Sequence, residues 1–261
     1  MTLFWHEIKR NRLSLFIWSG AISLLLAICI LIYPEMSKQM ADMEDMLSQM
    51  GGFSDAFGMN DVNIGEFMGY FAIECSETLG LGGAIFASIL GAGILSKEER
   101  GRTADLLLSH PISRVRVVAE KLLAVVAQVA FLNIAIILLT SLSILAIGET
   151  VDIKIMALIF LSYFALQAEI AVIAFCISAF VGKGSTGIGI GVAVFFYFVN
   201  LISNLTDDLD FLKYVTPFGY AEGTSILANE AIEIKYLAIG LAVAALAIFA
   251  AFANYRRKDI K

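Results

Sequence analysis

Between Leu13 and Tyr33 the chain runs for 21 residues without one charged side chain. A helix needs about 20 mostly apolar residues to cross the hydrocarbon core of a bilayer. Soluble cores need no such runs. Comparable stretches recur, and the chain reads as an all-α polytopic membrane protein with six transmembrane helices, at 13–33, 67–95, 118–147, 155–181, 186–203 and 236–253. Composition agrees: 59% of residues are hydrophobic and mean hydropathy is +0.83, whereas soluble domains run nearer half apolar. No small-residue cleavage site follows the first run, so it reads as a retained helix and not a signal peptide.

The segments between the spans differ in character. Residues 2–12, TLFWHEIKRNR, set aromatic side chains among Lys9, Arg10 and Arg12 and suit an N-terminal interfacial amphipathic helix on anionic headgroups. Pro34 is expected to end the first span. An acidic, methionine-rich outer loop follows over 34–66, and a second polar outer loop covers 204–235. A charged loop occupies 96–117, and GETVDIK and GKGS are short turns. With the N-terminus inside, 14 of the 18 Lys and Arg residues fall on the cytoplasmic side. The positive-inside rule therefore places both termini in the cytoplasm of a cell-membrane protein, which an even number of spans satisfies. No segment is large enough to form a soluble core of its own, so residues 1–261 form a single transmembrane domain.

The loop over 96–117 carries the most information. Glu98, Glu99, Arg100, Gly101 and Arg102 precede Thr103, which can cap a helix, with Asp105 well placed in its first turn. Leu106, Leu107 and Leu108 give that helix an apolar side, Pro111 stops it, and Ser113 can cap the third span. Solvated loops do not need three consecutive leucines. A partner protein's groove, the lipid surface, and packing within the chain would each cover them.

Three further patterns stand out. Glu169 lies near the middle of the fourth span, with Gln167 two residues before it. A carboxylate there costs at least ~2.5 kcal/mol on insertion scales. It either bridges helices, for instance to Asn133 in the third span, or lines a substrate or proton pathway. Met36, Met40, Met43, Leu47 and Met50 share one helical face. They fit a helix packed over the outer mouth, and thioethers also leave Cu(I) open. Gly83, Ala87 and Gly91, and likewise Gly187 and Gly191, are spaced for close helix approach and are candidates for a seam between two copies. Cys29, Cys75 and Cys176 form no CxxC or Cys/His pattern, so the cysteines suggest neither a metal site nor a redox motif.

The run from Lys97 to Arg114, KEERGRTADLLLSHPISR, with Lys121 opening the next span, resembles the signature of type-2 ATP-binding-cassette (ABC) permeases. That family's pattern is roughly E-x-E-x-G-T-x-x-L-L-L-S-x-P-I-S-R, followed soon by Lys. Here Arg102 is inserted between Gly101 and Thr103, and His110 fills the variable place before Pro111. The basic N-terminal segment, the long loop after the first span and Thr216-Pro217-Phe218-Gly219-Tyr220 before the last also resemble the family. The resemblance implies a permease subunit that pairs with a second copy or paralogue. Each permease would bind a cytoplasmic ABC ATPase subunit through a coupling helix around residues 103–109. Glu98, Glu99, Arg100, Gly101, Thr103, Asp105, Leu106, Leu107, Leu108, Pro111, Ser113 and Arg114 would form the coupling loop. ATP and magnesium would be used by that partner, with no cofactor bound here and no nucleic acid involved. Export of a drug, an antimicrobial peptide, a lipid or an ion all fit.

The chain's own residues agree with an external motor. No GxxxxGK[ST] loop occurs, and GKGS at 182–185 lacks the upstream glycine. An ATPase-independent channel or secondary carrier would typically show inverted repeats and broken helices, which the sequence lacks. A membrane-embedded enzyme would need convergent catalytic groups. The only histidines are His6 and His110, and neither HExxH nor GxSxG is present.

The expected topology is testable by labelling single cysteines introduced into a chain whose native cysteines are replaced. Labels at 45 and 208 should react from outside the cell. Labels at 100, 184 and 258 should react only after permeabilisation, and outside reaction at 100 would reverse the orientation.

Overall fold

A computed structural model describes residues 2–48, 52–58, 62–101, 113–181 and 184–257. Its helices are α1 (Thr2–Ser48), α2 (Gly52–Ala56), α3 (Phe67–Cys75), a π-helical segment (Ser76–Gly82), α4 (Gly83–Gly101), α5 (Arg114–Ile147), α6 (Ile153–Phe180), α7 (Ser185–Ser203), two 3-10 helices (Asp207–Tyr214 and Pro217–Tyr220), α8 (Gly223–Asn229) and α9 (Ile234–Arg257). No strand occurs among the described residues. Six helices are long and apolar enough to cross a membrane: Thr2–Lys38, Phe67–Lys97, Arg114–Ile147, Ile153–Phe180, Ser185–Ser203 and Ile234–Arg256. Large apolar side chains such as Leu138, Leu142, Leu145, Leu246 and Phe249 remain exposed on their outer faces, where lipid would cover them.

The first helix departs from expectation at both ends. Residues 2–12 form the opening turns of α1 and are not a separate element. The reason is that Glu7 and Asn11 are buried and Leu3, Phe4 and Ile8 pack on the core, so this stretch faces protein along one side. Pro34 does not end the span; it lies inside α1. Proline removes one helical hydrogen bond and costs about 3 kcal/mol in a helix interior. Contacts from elsewhere in the chain hold the helix across that point. Tyr33 packs edge-on against Phe67 and tilted against Tyr70, with ring centroids at 5.1 and 5.3 Å. Its hydroxyl donates to the Gly65 carbonyl at 2.8 Å. Of the methionine face, Met36 is half-buried against the core, and the other side chains of that pattern lie outside the described residues.

The second span contains the irregularity. Over Ser76–Gly82, SETLGLG, the helix widens into π geometry. Ser76 and Thr78 turn their hydroxyls back onto the carbonyls of Ala72 and Glu74, at 3.0 and 2.6 Å. Such back-bonding disturbs regular helix, and π segments, rare in general, occur frequently at functional sites. Beyond it, α4 makes its most extensive contact with α6. A Cβ on Gly91 would overlap the Ala171 carbonyl, and one on Gly83 would overlap the Gln167 amide. Ala87 between them is fully buried. The Gly83-Ala87-Gly91 stripe is therefore a seam within the chain, between α4 and α6, and is not free to join two copies. On α7 it is Gly189 that meets Ala92 of α4, while Gly187 and Gly191 face open space.

Short-range signals set the helix starts. Ser113 accepts from the Arg116 amide at 3.3 Å at the head of α5. Asp152 accepts from Lys154 and Ile155 at 2.8 and 3.2 Å at the head of α6. Gly148 ends α5 at φ 75°, a left-handed cap that glycine adopts without strain. Cys29, Cys75 and Cys176 are all free thiols.

Between α7 and α9 the chain folds back into the bundle. Thr216 donates its hydroxyl to the Phe196 carbonyl of α7 at 2.9 Å. Phe218 and Tyr220 are buried, and Phe218 sits beside Gly80 of the π segment. Gly223 comes so close to the Ala72 carbonyl that a Cβ would collide with it. Irregular backbone at such a depth is tolerated only where protein surrounds it.

Gly91→Val should destabilise the protein by roughly 1–3 kcal/mol or more through overpacking. A lower thermal midpoint in detergent would register it, while Gly187→Val leaves the midpoint near wild type. Equal midpoints would contradict the α4–α6 seam.

Candidate functional site

The loop between the second and third spans leaves the bundle through a charged base. Thr103, Asp105, Leu106, Leu107, Leu108 and Pro111 lie outside the described residues. Glu98, Glu99, Arg100 and Gly101 continue the α4 backbone up to that point. On the far side Ser113 caps α5, and Arg114 donates to the Arg256 carbonyl at 3.4 Å. The two ends of the loop are fixed to the N-terminal helix. Lys121 of α5 is fully buried, and its ammonium donates to Glu7 of α1 at 3.0 Å and to the Ile94 carbonyl of α4 at 2.7 Å. Glu120 accepts from the Leu3 and Phe4 amides at 3.0 and 3.3 Å and from Arg116 at 2.8 Å. Lys97 donates to Asn11 at 2.7 Å. A carboxylate at the first turn of a helix compensates its unpaired N–H groups. Sequence reasoning singled out Lys121 but not its partner, because Glu7 is 114 residues away.

Deeper in the bundle, the three polar residues expected to bridge helices divide into two sets. Asn133 donates to Gln167 at 2.7 Å, and Gln167 donates to the Leu79 carbonyl of the π segment at 3.1 Å. Glu169 takes no part. Residues two apart on a helix point about 200° from each other, so Gln167 faces α4 and α5 while Glu169 faces α9. The expected Glu169–Asn133 bridge is corrected accordingly: Glu169 accepts from the Tyr220 hydroxyl at 2.8 Å. The absence of a side chain at Gly240 makes room for this carboxyl. Glu169 also borders a narrow cleft with Phe196, Tyr214, Tyr236 and Val243.

A third polar set surrounds the π segment. Glu77 accepts there from the Tyr197 hydroxyl of α7 at 2.5 Å, a partner 120 residues away that no local pattern reveals. Ser76 and Tyr163 share a hydrogen bond at 2.8 Å, and the Gly223 amide donates to Tyr163 at 3.2 Å. Asn204 donates to Glu222. Two carboxylates facing tyrosine hydroxyls thus hold the inward-folded segment and α7 against the second and fourth spans. The serine and glycine content of SETLGLG was the available signal.

Glu169→Gln should keep the fold, since its amide oxygen still accepts from Tyr220. Glu169→Leu leaves a buried hydroxyl unpaired, a loss of about 1–3 kcal/mol, read as a lower thermal midpoint and lower yield. Wild-type midpoints for both variants would remove structural weight from the Glu169–Tyr220 bond.

With this arrangement described, comparison with known proteins fixes the family. No curated protein matches the chain. A family model described as "Multidrug efflux system permease Rv1217c, C-terminal domain" matches residues 5–256. The matched stretch runs from the first turns of α1 to the last turn of α9 and includes all six membrane-length helices, the charged base and the inward-folded segment. The chain is a multi-pass membrane protein and belongs to the family of the multidrug efflux system permease Rv1217c C-terminal domain.

Proposed function

We propose that the chain is the transmembrane permease subunit of an ATP-driven ABC exporter. It works in the cell membrane with both termini in the cytoplasm, paired with a second copy or a paralogue. ATP and magnesium are bound and used by separate cytoplasmic ATPase subunits. The observation that carries this reading is the match, over nearly the whole chain, to a family described as a multidrug efflux permease. A drug-like cargo is the corresponding substrate class.

The charged base supports the mechanical part of the reading. A push on the 102–112 segment reaches α4 at Gly101 and α5 at Ser113. Those helices cannot part freely, because Lys121 joins α5 to both α4 and α1. Force from an ATPase would therefore move three helices as a unit. The leucines at 106–108 supply docking area at about 25 cal/mol per Å² removed from water. The neighbouring charges, Glu98, Glu99, Arg100 and Arg102, set docking orientation and rate more than affinity.

Leu107→Glu should release the ATPase or uncouple its hydrolysis from transport, while the permease still inserts and pairs. Co-purification with the ATPase, and ATP turnover with and without cargo, check this. Intact association and transport in Leu107→Glu would exclude the coupling role and favour an ATPase-independent channel. Loss that tracks anionic lipid content instead would assign the leucines to the membrane surface.

A further inference from the structure

The groove beside Glu169 has no part in the permease reading. α7 and α9 both pack on α6 and make at most marginal contact with each other. Between them runs the narrow cleft bordered by Glu169 of α6, Phe196 of α7, and Tyr236, Gly240 and Val243 of α9. Its α9 rim is open, since Ile239 and Val243 are exposed. Both lie on a helix of membrane length, where lipid would cover them.

Glu169 is 6% exposed. Its one hydrogen bond among the described residues is accepted from Tyr220 through Oε2, in the room that Gly240 leaves. Oε1 has no partner, yet it is not sealed in as Asn133 Oδ1 and Gln128 Oε1 are. It therefore opens on the cleft that the residue borders. No Lys, Arg, His, Asp or second Glu lines this cleft, and its other titratable groups are the phenols of Tyr214 and Tyr236. The cations next to those tyrosines in sequence are held elsewhere. Lys213 pairs with Asp210 at 3.1 Å, and Lys235 pairs with Glu233 at 3.0 Å and stands over the Tyr236 ring at 4.4 Å. An ionised carboxylate in apolar surroundings needs a counter-ion, and a group without one neutralises instead. A single phenol hydrogen bond does not replace the lost hydration.

We propose that Glu169 is a lipid-facing proton site. The side chain stays a neutral carboxylic acid, with Oε2 accepting from Tyr220 and Oε1 carrying the proton into the cleft. Such an acid is the target of a lipid-soluble carbodiimide. The acid proton passes to one carbodiimide nitrogen, and Oε1 bonds to the central carbon. The resulting O-acylisourea rearranges to an N-acylurea that keeps every atom of both reactants.

The test needs neither an ATPase nor a cargo, so its outcome is independent of the permease reading. The purified full chain in lipid nanodiscs, at mildly alkaline pH, would be treated with dicyclohexylcarbodiimide or with a water-soluble cationic carbodiimide. Water-exposed carboxyls are ionised there and react poorly. Peptide mass spectrometry should find Glu169 modified by the lipid-soluble reagent and at least tenfold less by the water-soluble one. Infrared spectra should show a carboxylic-acid C=O band that disappears in Glu169→Gln. The same band should disappear after labelling of the wild type, so the assignment survives a variant that fails to fold. Without the band Glu169 is ionised, and the proposal fails. A band with no labelling, or equal labelling by both reagents, means that the acid does not face lipid, and the proposal fails as well.

Discussion

Lys121 is fully buried, and the arrangement of the bundle at the roots of the 102–112 loop follows from where its charge is met. Moving an ammonium from water into a dry interior costs several kcal/mol even after relaxation. Here the charge is answered by the Glu7 carboxylate and the Ile94 carbonyl, which come from different helices. Separating α1 from α5 at this level leaves an unpaired buried charge, and drawing α4 away removes a hydrogen bond from the Lys121 ammonium. Buried ion pairs contribute little net stability against apolar replacements, and they act by excluding alternatives. At this position the pair fixes the register of three helices at the roots of the loop.

Elsewhere the same scarcity of water acts through neutral groups. Asn133, Gln167 and the Leu79 carbonyl form a chain across α5, α6 and the second span. Close approach of α4 and α6 places the amide of Gln167 against Gly83, where a larger residue would block it. Packing and polar pairing are therefore one device: glycine brings the backbones together, and short distance lets amide and carbonyl meet. Lipid gives no apolar driving force between helices, so dispersion and such bonds must hold them.

The parts of this structure legible from sequence are those governed locally. That the chain holds six membrane-length helices was readable because hydropathy is summed over neighbours along the chain. Ser113 was readable as a cap because its acceptor role concerns an amide three residues ahead. What escaped depended on distant partners. Pro34 looked like a terminator because the aromatic packing of Tyr33 on Phe67 and Tyr70 is invisible locally. Glu169 was recognisable as costly, yet its partner Tyr220 lies 51 residues on, in a segment that read as a polar loop. The glycine stripe predicted close approach correctly and assigned it to the wrong neighbour, since spacing specifies a surface and not what meets it. The leucines at 106–108 lie outside the described residues and keep the standing the sequence gives them.

The length of α1 has a geometric consequence. Its 47 residues extend about 70 Å at 1.5 Å per residue, more than twice the roughly 30 Å of hydrocarbon it crosses. One end is clamped by Glu120 and Lys121, beside the loop. Pro34 falls about two-thirds of the way along, where one backbone bond is missing. The helix is thus a lever with a fixed foot and a stiff lower arm of roughly 50 Å, held across the missing bond by the contacts of Tyr33 with Phe67, Tyr70 and Gly65. A tilt of about 5° at the foot carries the Pro34 end sideways by roughly 4 Å, about one Cα–Cα spacing, so a small motion at the base emerges enlarged on the opposite face of the membrane.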